Sequence, residues 1–338
     1  MRKVLHVGPC DTPGGMANVM RILAEHPPEG WEAELLASHV VGSPWAKWRA
    51  YRRARKELIR RCRSSDERPD IVHVHTAADW SWRRKKHLLR SINKFNLSTV
   101  IHIHSGQFHN WLTKGRLKRA NSVRNFVKQP NFVTVALSQH WVELLKSKIG
   151  PLESIPNPIK HPDEIRVERK PNQMLLLGRN DPVKGHDFAI DVAKELGRRN
   201  PNISLIMTGQ ESDQNSQFVE CRGWVSEEEK LQLLRESSIL LVPSLFEGQP
   251  MVVLEALSHQ LPVLASENLH SMPISVNYAE REVTKWVDFL DNYFQNPSSK
   301  TTARLPEEHW IENVGQRWNE LYSTLLSVSA ESFPEGRQ

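Results

Sequence analysis

Short runs of consecutive apolar residues alternate with segments of helical periodicity along the first half of the chain. Apolar residues three and four positions apart predict a helix at 16–26. The apolar runs predict β-strands at 3–8, 32–38, 70–75, 98–104 and 132–138. Strands that alternate with helices are typical of a parallel sheet covered by helices on both faces.

The second half repeats this pattern. Its predicted strands, at 173–178, 203–209, 238–244 and 261–266, are apolar throughout, which indicates burial on both faces. Helices are predicted at 186–197, 226–237 and 250–258. A last helix at 307–326 carries on one face Trp310, Val314, Trp318, Leu321 and Leu325.

The chain has 338 residues, which suits two domains better than a single core. A proline-rich, charged stretch at 155–173 marks the junction. We therefore expect an α/β protein with two Rossmann-like domains, 1–155 and 156–306, facing each other across a cleft. The helix at about 307–327 fits against either domain and can pack back on the first. Ligands of open parallel sheets bind beyond the carboxyl ends of the strands, so the cleft is the expected active site.

The composition is that of a globular protein, with 39% hydrophobic and 25% charged residues. It excludes a disordered chain, a fibre and a coiled coil. No apolar run approaches the roughly 20 residues of a membrane-spanning helix. The first residues reach Gly8 and Pro9 too early for a signal peptide. Three widely spaced cysteines, Cys10, Cys62 and Cys221, form no disulfide framework, and we expect a cytoplasmic protein.

Charge is divided unevenly along the chain. The net charge of +6 arises from 45 Lys and Arg against 39 Asp and Glu. Residues 1–150 hold 27 basic and 11 acidic residues, a balance of +16, and the remainder has a balance of −10. This asymmetry indicates that the two halves face different partners.

The basic residues of the first half concentrate in three segments, 47–63, 80–90 and 113–128, two of which also contain tryptophan. Tryptophan beside Lys and Arg on amphipathic helices favours the surface of anionic membranes. We expect a peripheral contact with the inner face of the membrane, on the side of a lipid-linked acceptor. The residues assigned to it are Trp48, Arg52, Arg53, Arg83, Arg84, Lys85 and Lys86. The alternative is a solvated basic face whose apolar stripe packs on its own sheet.

The strongest candidate site lies at 244–266. A helix that is apolar nearly all round is buried, so Glu255 within it needs a partner, either a protein cation or the hydroxyls of a ligand. Glu247 lies in the loop after a buried strand, beside Gly248 and the amino end of the helix at Pro250. The structural alternative is that Glu247 caps this helix and Glu255 makes an ion pair.

A second candidate follows the strand at 173–178. Arg179 and Lys184 flank a turn between that strand and a helix, directly after Gly178. Arg binds phosphate oxygens in pairs and Lys acts as a point charge, so together the two can hold a diphosphate.

These residues resemble the family 4 glycosyltransferases of the GT-B fold. The resemblance rests on Glu247 and Glu255 with seven residues between them, GR…KG at 178–185, IPNPI at 155–159 and DTPGG at 11–15. It implies the retaining transfer of a sugar from a nucleotide diphosphate sugar, without a metal ion or other cofactor. The acceptor would be a glycan, expected to be lipid-linked, in the synthesis of a surface polysaccharide or glycolipid.

The same resemblance implies roles for individual residues. Arg179 and Lys184 would neutralise the leaving diphosphate, Glu255 would hold the ribose, and Glu247 would contact the transferred sugar as nucleophile or donor contact. His104 would lie in the cleft and touch the donor sugar or acceptor. Further donor contacts are assigned to Gly14, Gly15, Gly178, Gly209, Gly248, Gln249, Pro250 and Met251.

Two histidine pairs are a possible metal site. His73 and His75, and likewise His102 and His104, are two positions apart and point to the same side of their strands. No carboxylate or cysteine completes a set in the sequence, so no metal is expected.

Two other function classes remain open. A nucleotide-sugar epimerase can share this two-domain fold and would act on the donor alone. A non-catalytic protein that binds nucleic acid or an anionic surface would explain the basic half. It would not explain a buried Glu255, and no nucleic-acid motif appears in the chain.

Overall fold

The structure is a computed structural model that describes residues 1–163, 169–211, 215–296 and 303–332. They form two compact α/β units. The first comprises Met1–Lys160 together with the chain from Glu308 onward, and the second is His161–Glu307. The chain changes units five residues after the predicted junction, and the C-terminal helix belongs to the first unit.

The first unit contains six strands and seven helices among its described residues. The strands are β1 (Arg2–Gly8), β2 (Trp31–Ala37), β3 (Ile71–Thr76), β4 (Ser98–Ile103), β5 (Phe132–Ala136) and β6 (Glu153–Ser154). The helices are α1 (Gly15–Glu25), α2 (Pro44–Arg63), α3 (Trp80–Asn93), α4 (Phe108–Lys114), α5 (Arg116–Val127) and α6 (Gln139–Ile149), with the C-terminal helix α11 (Ile311–Ser332).

The second unit contains six strands and four helices among its described residues. The strands are β7 (Gln173–Leu176), β8 (Ser204–Thr208), β9 (Val219–Arg222), β10 (Ile239–Val242), β11 (Val263–Ser266) and β12 (Asn277–Ala279). The helices are α7 (His186–Arg199), α8 (Glu227–Glu236), α9 (Met251–Ser258) and α10 (Val283–Gln295).

Each unit is built on one parallel sheet of six strands. The strand order is β2-β1-β3-β4-β5-β6 in the first unit and β12-β11-β10-β7-β8-β9 in the second. In both sheets the order reverses once, between β1 and β3 and between β7 and β10. Ligands of doubly wound sheets bind beyond the carboxyl ends of the strands at this point of reversal. The predicted α/β class with two Rossmann-like domains is confirmed.

The cores follow the predicted apolar runs. The central strands β3 and β4 are buried along their whole length, as are β10 and β11. Ser226 caps α8, since its hydroxyl accepts the Glu229 backbone N–H at 3.1 Å. The sequence prediction missed β6, β9 and β12, which are two to four residues long and partly exposed. Such edge strands carry no continuous apolar signal.

Helix α11 closes one face of the first sheet. Its side chains Val314, Trp318, Tyr322 and Leu325 are buried, and Tyr322 is one of the largest fully buried side chains of the protein. Trp31 of β2 donates its indole N–H to the Asn319 side chain at 3.0 Å. The helix begins at Ile311, after a 3₁₀ turn over Glu307–His309. No helix among the described residues is long and apolar enough to cross a membrane.

Candidate functional site

The loops after β7 and β10 come together at the carboxyl edge of the second sheet. Gly178 and Arg179 follow β7, and Glu247 lies in the loop after its neighbour β10. The Lys184 ammonium donates to Oε1 of Glu247 at 2.6 Å. The Leu245 backbone N–H donates to the Val183 carbonyl oxygen at 2.9 Å, which ties the two loops together. These loops meet at the point where the strand order reverses.

Two glycines allow the loops to approach this closely. A Cβ on Gly209, after β8, would lie 2.1 Å from the Gly178 carbonyl oxygen, and a Cβ on Gly185 would lie 2.6 Å from the Pro243 carbonyl oxygen. Both glycines have positive φ, +75° and +80°, which side chains rarely adopt. Gly209 was predicted as a donor contact; the structure places it against the turn of Gly178 and Arg179.

The two predicted cations differ in their surroundings. Lys184 is largely buried beside Glu247, and their side chains are 27% and 13% exposed. Arg179 is 66% exposed and lies 3.5 Å from Asp181, a residue that sequence reasoning missed. Glu247 therefore neutralises Lys184 in this structure, whereas the Arg179 guanidinium reaches into solvent at the carboxyl edge.

Glu255 has a protein cation as partner. The Lys230 ammonium of α8 donates to Glu255 Oε1 at 3.1 Å, and the side chains are 17% and 13% exposed. Burial alone would lower the pKa of Lys230, but the charges of Glu255 and Glu227 outweigh it and raise this pKa. The ion pair is the structural alternative that the sequence left open for Glu255. The sequence carried no signal that singled out Lys230.

The remaining predicted donor contacts lie at two helix starts. Gln249 and Met251 are buried at the amino end of α9, where Pro250 is the N-cap residue and makes no side-chain capping bond. In the first unit, Gly14 is the N-cap of α1 and Gly15 begins it. Gly14 has φ +127°, and a Cβ there would meet no atom within 4 Å. Its backbone therefore borders open space.

Five histidines form one cluster on the first sheet: His6, His73, His75, His102 and His104. In the register of the strands, His6 lies opposite His73 and His75 lies opposite His102. All five side chains therefore lie on one face of the sheet. His6 was missed in the sequence, where it stands alone in its strand; the pairing of β1 with β3 brings it in. His104 is partly exposed, and the other four are buried.

Hydrogen bonds link the rings of this histidine cluster. His75 joins His6 at 3.0 Å and His104 at 2.9 Å. His73 joins His102 at 3.1 Å and the Tyr322 hydroxyl of α11 at 2.7 Å. Burial lowers the pKa of His6 and of His104 to about 3 and holds those of the other three well below the usual value. The cluster is therefore neutral at pH 7.

The histidine cluster corrects one argument against a metal. Sequence reasoning found no third ligand for either pair, yet the ring nitrogens form two groups of three within 4.8 Å, His6–His73–His75 and His75–His102–His104. Neutral imidazole is a common ligand of zinc and other transition metals. The hydrogen bonds between the rings account for their spacing equally well. The absence of a metal stays a prediction.

The basic residues assigned to a membrane contact divide into two environments. Trp48, Arg52, Arg53 and Arg83 are exposed, and Arg84 and Lys86 are partly exposed. The Arg52 guanidinium lies 4.9 Å from the Trp48 ring centre and that of Arg83 lies 4.6 Å from the Trp80 ring centre. Lys85 was wrongly grouped with them, since it is only 3% exposed. It lies on the face of α3 that packs on the sheet.

The apolar residues of α2 also lie in two different environments. Leu58 and Cys62 pack into the core of the first unit, as the structural alternative required. At the other end of the helix, the rings of Trp45 and Trp48 stack with their centres 4.6 Å apart. These two residues are 62% and 44% exposed. A cavity of about 360 Å³ lies beside α3 and is lined by residues of α3, α4 and α5, including Trp80, Arg83 and Lys86.

Comparisons with known proteins agree with this architecture. The family model described as glycosyl transferases group 1 matches residues 171–282, a third of the chain. A glycogen synthase from Mycobacterium tuberculosis is 24% identical over 219 residues, which cover 59% of this chain. The match spans 52% of that relative, so the chain corresponds to about half the length of the curated relatives it matches.

Two solved structures extend the comparison to the fold. Sucrose-phosphate synthase from Thermosynechococcus elongatus aligns over 97% of this chain and 100% of its own, with a TM-score of 0.70 and 13% identity. The pneumococcal O-GlcNAc transferase GtfA, solved with UDP and GlcNAc, covers 83% of this chain and 61% of its own, with a TM-score of 0.60 and 12% identity. Residues 171–282 therefore resemble a glycosyl transferases group 1 domain, and the chain shares the GT-B-type fold of these solved structures.

Proposed function

We propose that this protein is a retaining, metal-independent glycosyltransferase that moves a sugar from a nucleotide diphosphate sugar to a glycan acceptor. The observation that carries the proposal is the Lys184–Glu247 pair beside the Gly178–Arg179 turn, at the reversal point of the second sheet. This is the position where doubly wound sheets bind nucleotides. The group 1 domain covers the same residues.

The residue types suit the chemistry of glycosyl transfer. When the bond between sugar and diphosphate breaks, negative charge collects on the leaving group, and fixed cations stabilise it. Arg179, exposed and close to the turn, is placed to bind a diphosphate, and Lys184 can exchange its contact with Glu247 for a phosphate oxygen. Glu247 would then face the sugar, where positive charge develops.

The donor site is tested with a panel of nucleotide diphosphate sugars and three variants. We expect one donor to raise the melting temperature and to be hydrolysed slowly in the presence of EDTA. Arg179→Ala should weaken donor binding about ten-fold or more, and Glu247→Gln should lower turnover about 100-fold with little effect on binding. Arg198→Ala removes an equal charge from a 75% exposed position of the same unit and should change neither.

Three outcomes would contradict this assignment. Full activity of Arg179→Ala or Glu247→Gln would remove these residues from the site. Release of an epimerised donor without acceptor would favour the epimerase. Retention of DNA at low salt, with no donor bound, would favour a nucleic-acid protein. The anomeric configuration of the product, read by NMR, decides whether transfer is retaining.

We infer further that the acceptor is lipid-linked and belongs to a surface polysaccharide or glycolipid, and that the protein works at the inner face of the membrane. Three exposed tryptophans of the first unit, Trp45, Trp48 and Trp80, with Arg52 and Arg83 stacked against two of them, support a contact with anionic lipid. Each cation near such a surface contributes about 1 kcal/mol.

Sedimentation with liposomes at physiological salt tests the membrane contact. Anionic vesicles should retain the protein and neutral vesicles should not. The Arg52→Glu/Arg53→Glu double variant should reduce retention, whereas Arg198→Glu, a reversal on the other unit, should not. Equal retention by both kinds of vesicle, or none by either, would overturn the membrane proposal.

A further inference from the structure

Lys85 is a buried cation without a buried anion. Its side chain is 3% exposed, and its ammonium donates to the hydroxyl of Ser38, which is itself 2% exposed. An ammonium has three N–H donors, and Ser38 accepts one of them. No carboxylate of the described residues lies within ion-pair distance of the Lys85 nitrogen. A charge buried in this way is costly unless the group gives up its proton or a partner arrives from outside the chain.

Two further polar groups beside Lys85 also lack partners. Arg84 is partly buried and makes no side-chain hydrogen bond or ion pair with the described residues. Nδ1 of His39 is buried and has no hydrogen-bond partner among them. His39 directly follows Ser38 and Arg84 directly precedes Lys85, so the hydrogen bond between Lys85 and Ser38 brings these residues into one neighbourhood. Burial and the positive charges of Arg84, Lys47 and Lys85 lower the pKa of His39 to about 4.

This neighbourhood lies at the carboxyl edge of the first sheet. Ser38 directly follows β2, and its backbone N–H donates to the Gly8 carbonyl oxygen at the end of β1 at 2.7 Å. The sheet reverses its strand order beside β1, so Lys85 lies at the ligand-binding edge of this sheet. The nearby Cys10 thiol stays protonated, because burial and Asp11 raise its pKa to about 11. It adds no negative charge.

We propose that Lys85, Arg84 and His39 form a binding site for a phosphoryl group. A phosphoryl group offers oxygens in several directions, which suits a point-charge ammonium, a guanidinium fork and an imidazole together better than a single carboxylate does. Its negative charge would compensate the buried ammonium of Lys85. The source is either free phosphate or, if the proposed transferase function holds, the phosphoryl group that links a lipid to its glycan.

The experiment measures binding to the full chain by calorimetry and thermal shift. The probes are inorganic phosphate, pyrophosphate and a short-chain alkyl diphosphate. We expect pyrophosphate to raise the melting temperature of the wild type and of Lys56→Gln, an exposed control on α2. In Lys85→Met its affinity should fall about ten-fold or more. Arg179→Ala should keep this Lys85-dependent binding, because it changes only the second unit.

Equal pyrophosphate affinity in the wild type and Lys85→Met would overturn the proposal, as would no binding at millimolar concentration. If Lys85→Met does not fold, the partly exposed Arg84→Gln decides by the same criterion. An alkyl diphosphate that binds about ten-fold tighter than pyrophosphate assigns the site to a lipid-linked acceptor, and equal affinities assign it to free phosphate. Lys85-dependent binding without any glycosyl transfer would uphold this site and contradict the proposed function.

Discussion

Position 209 tolerates only glycine because of the backbone beside it. A side chain there would overlap the Gly178 carbonyl oxygen and the Arg179 Cα, at 2.1 and 2.6 Å. Neither atom belongs to a flexible side chain that can move away. The sequence places Gly209 after a strand, but it does not show that this glycine shapes the turn that presents Arg179.

Gly209→Ala should therefore displace the turn and weaken donor binding about ten-fold or more. Gly315→Ala is the matched control, since a Cβ in this helix meets no atom within 4 Å and should stabilise the protein by about 1 kcal/mol. Donor titration and urea unfolding of both variants check the prediction. Unchanged donor affinity in Gly209→Ala would show that the turn does not position the donor.

The buried Lys85 should make the free energy of unfolding depend on pH in the alkaline range. Burial, with Arg84, lowers the pKa of Lys85 to about 7, below the ordinary 10.5 expected of the unfolded chain. Between these values the unfolded state binds one more proton, so the Lys85 contribution to stability rises with pH from about 7 to 10. Below pH 7 the penalty for the buried charge is fully present.

Lys85→Met should accordingly be as stable as the wild type or more so at pH 7 in phosphate-free buffer. The difference in stability in favour of Lys85→Met should shrink as the pH rises to 10. Urea unfolding at pH 7, 8, 9 and 10 measures the difference, and Lys56→Gln serves as the exposed control. A difference that stays constant over this range would mean that Lys85 is protonated in the folded protein throughout.

Among the secondary-structure elements, the strands that carry the histidine cluster show what sequence patterns leave out. The pairs in β3 and β4 were found because same-face positions repeat every two residues. His6 was missed because a single sequence does not reveal that β1 lies beside β3. The error at Lys85 was avoidable: Trp82, Lys85, Leu89 and Ile92 recur at helical spacing, which places Lys85 on the buried stripe of α3.

Acid should destabilise the first sheet through the histidine cluster. The folded state keeps the five rings neutral, whereas the unfolded chain takes up protons below about pH 6.5. Stability is therefore fully present above that pH and falls as the pH drops, by about 1.4 kcal/mol per linked histidine and pH unit. Urea unfolding at pH 7.5, 6.5 and 5.5 in EDTA measures the slope. His104→Asn should reduce it, and a slope unchanged in this variant would exclude His104 from the linkage.

At the scale of the whole molecule, apolar runs and their alternation with helices were sufficient to predict two parallel sheets. The packing of α11 on the first sheet was only one of two possibilities, because its apolar face fits any sheet. The difference in charge between the halves agrees with a basic first unit that contains three of the four exposed tryptophans, the fourth being Trp224 of the second unit. The specific neighbours of each charge, such as Lys230 for Glu255, depend on tertiary structure that residue patterns do not encode.

Trp318 should be the most sensitive position of α11, since it is fully buried and its ring packs 4.5 Å from that of His73. Trp318→Ala should destabilise the first unit by about 3–5 kcal/mol. Val328→Ala, at a 41% exposed position of the same helix, should change stability by less than about 0.5 kcal/mol. Urea unfolding followed by circular dichroism compares them. Similar losses in both variants would indicate that α11 frays as a whole.

Helix α11 follows the second unit in the sequence but packs in the first, so the first unit is completed last during synthesis. Residues 161–307 leave the ribosome before α11 does, and at about 5–20 residues per second the first sheet waits roughly 7–30 s for its last helix. During that interval nothing from α11 covers Trp31 or the histidine face. A chain that terminates early within the second unit lacks α11, so this face of its first unit stays uncovered.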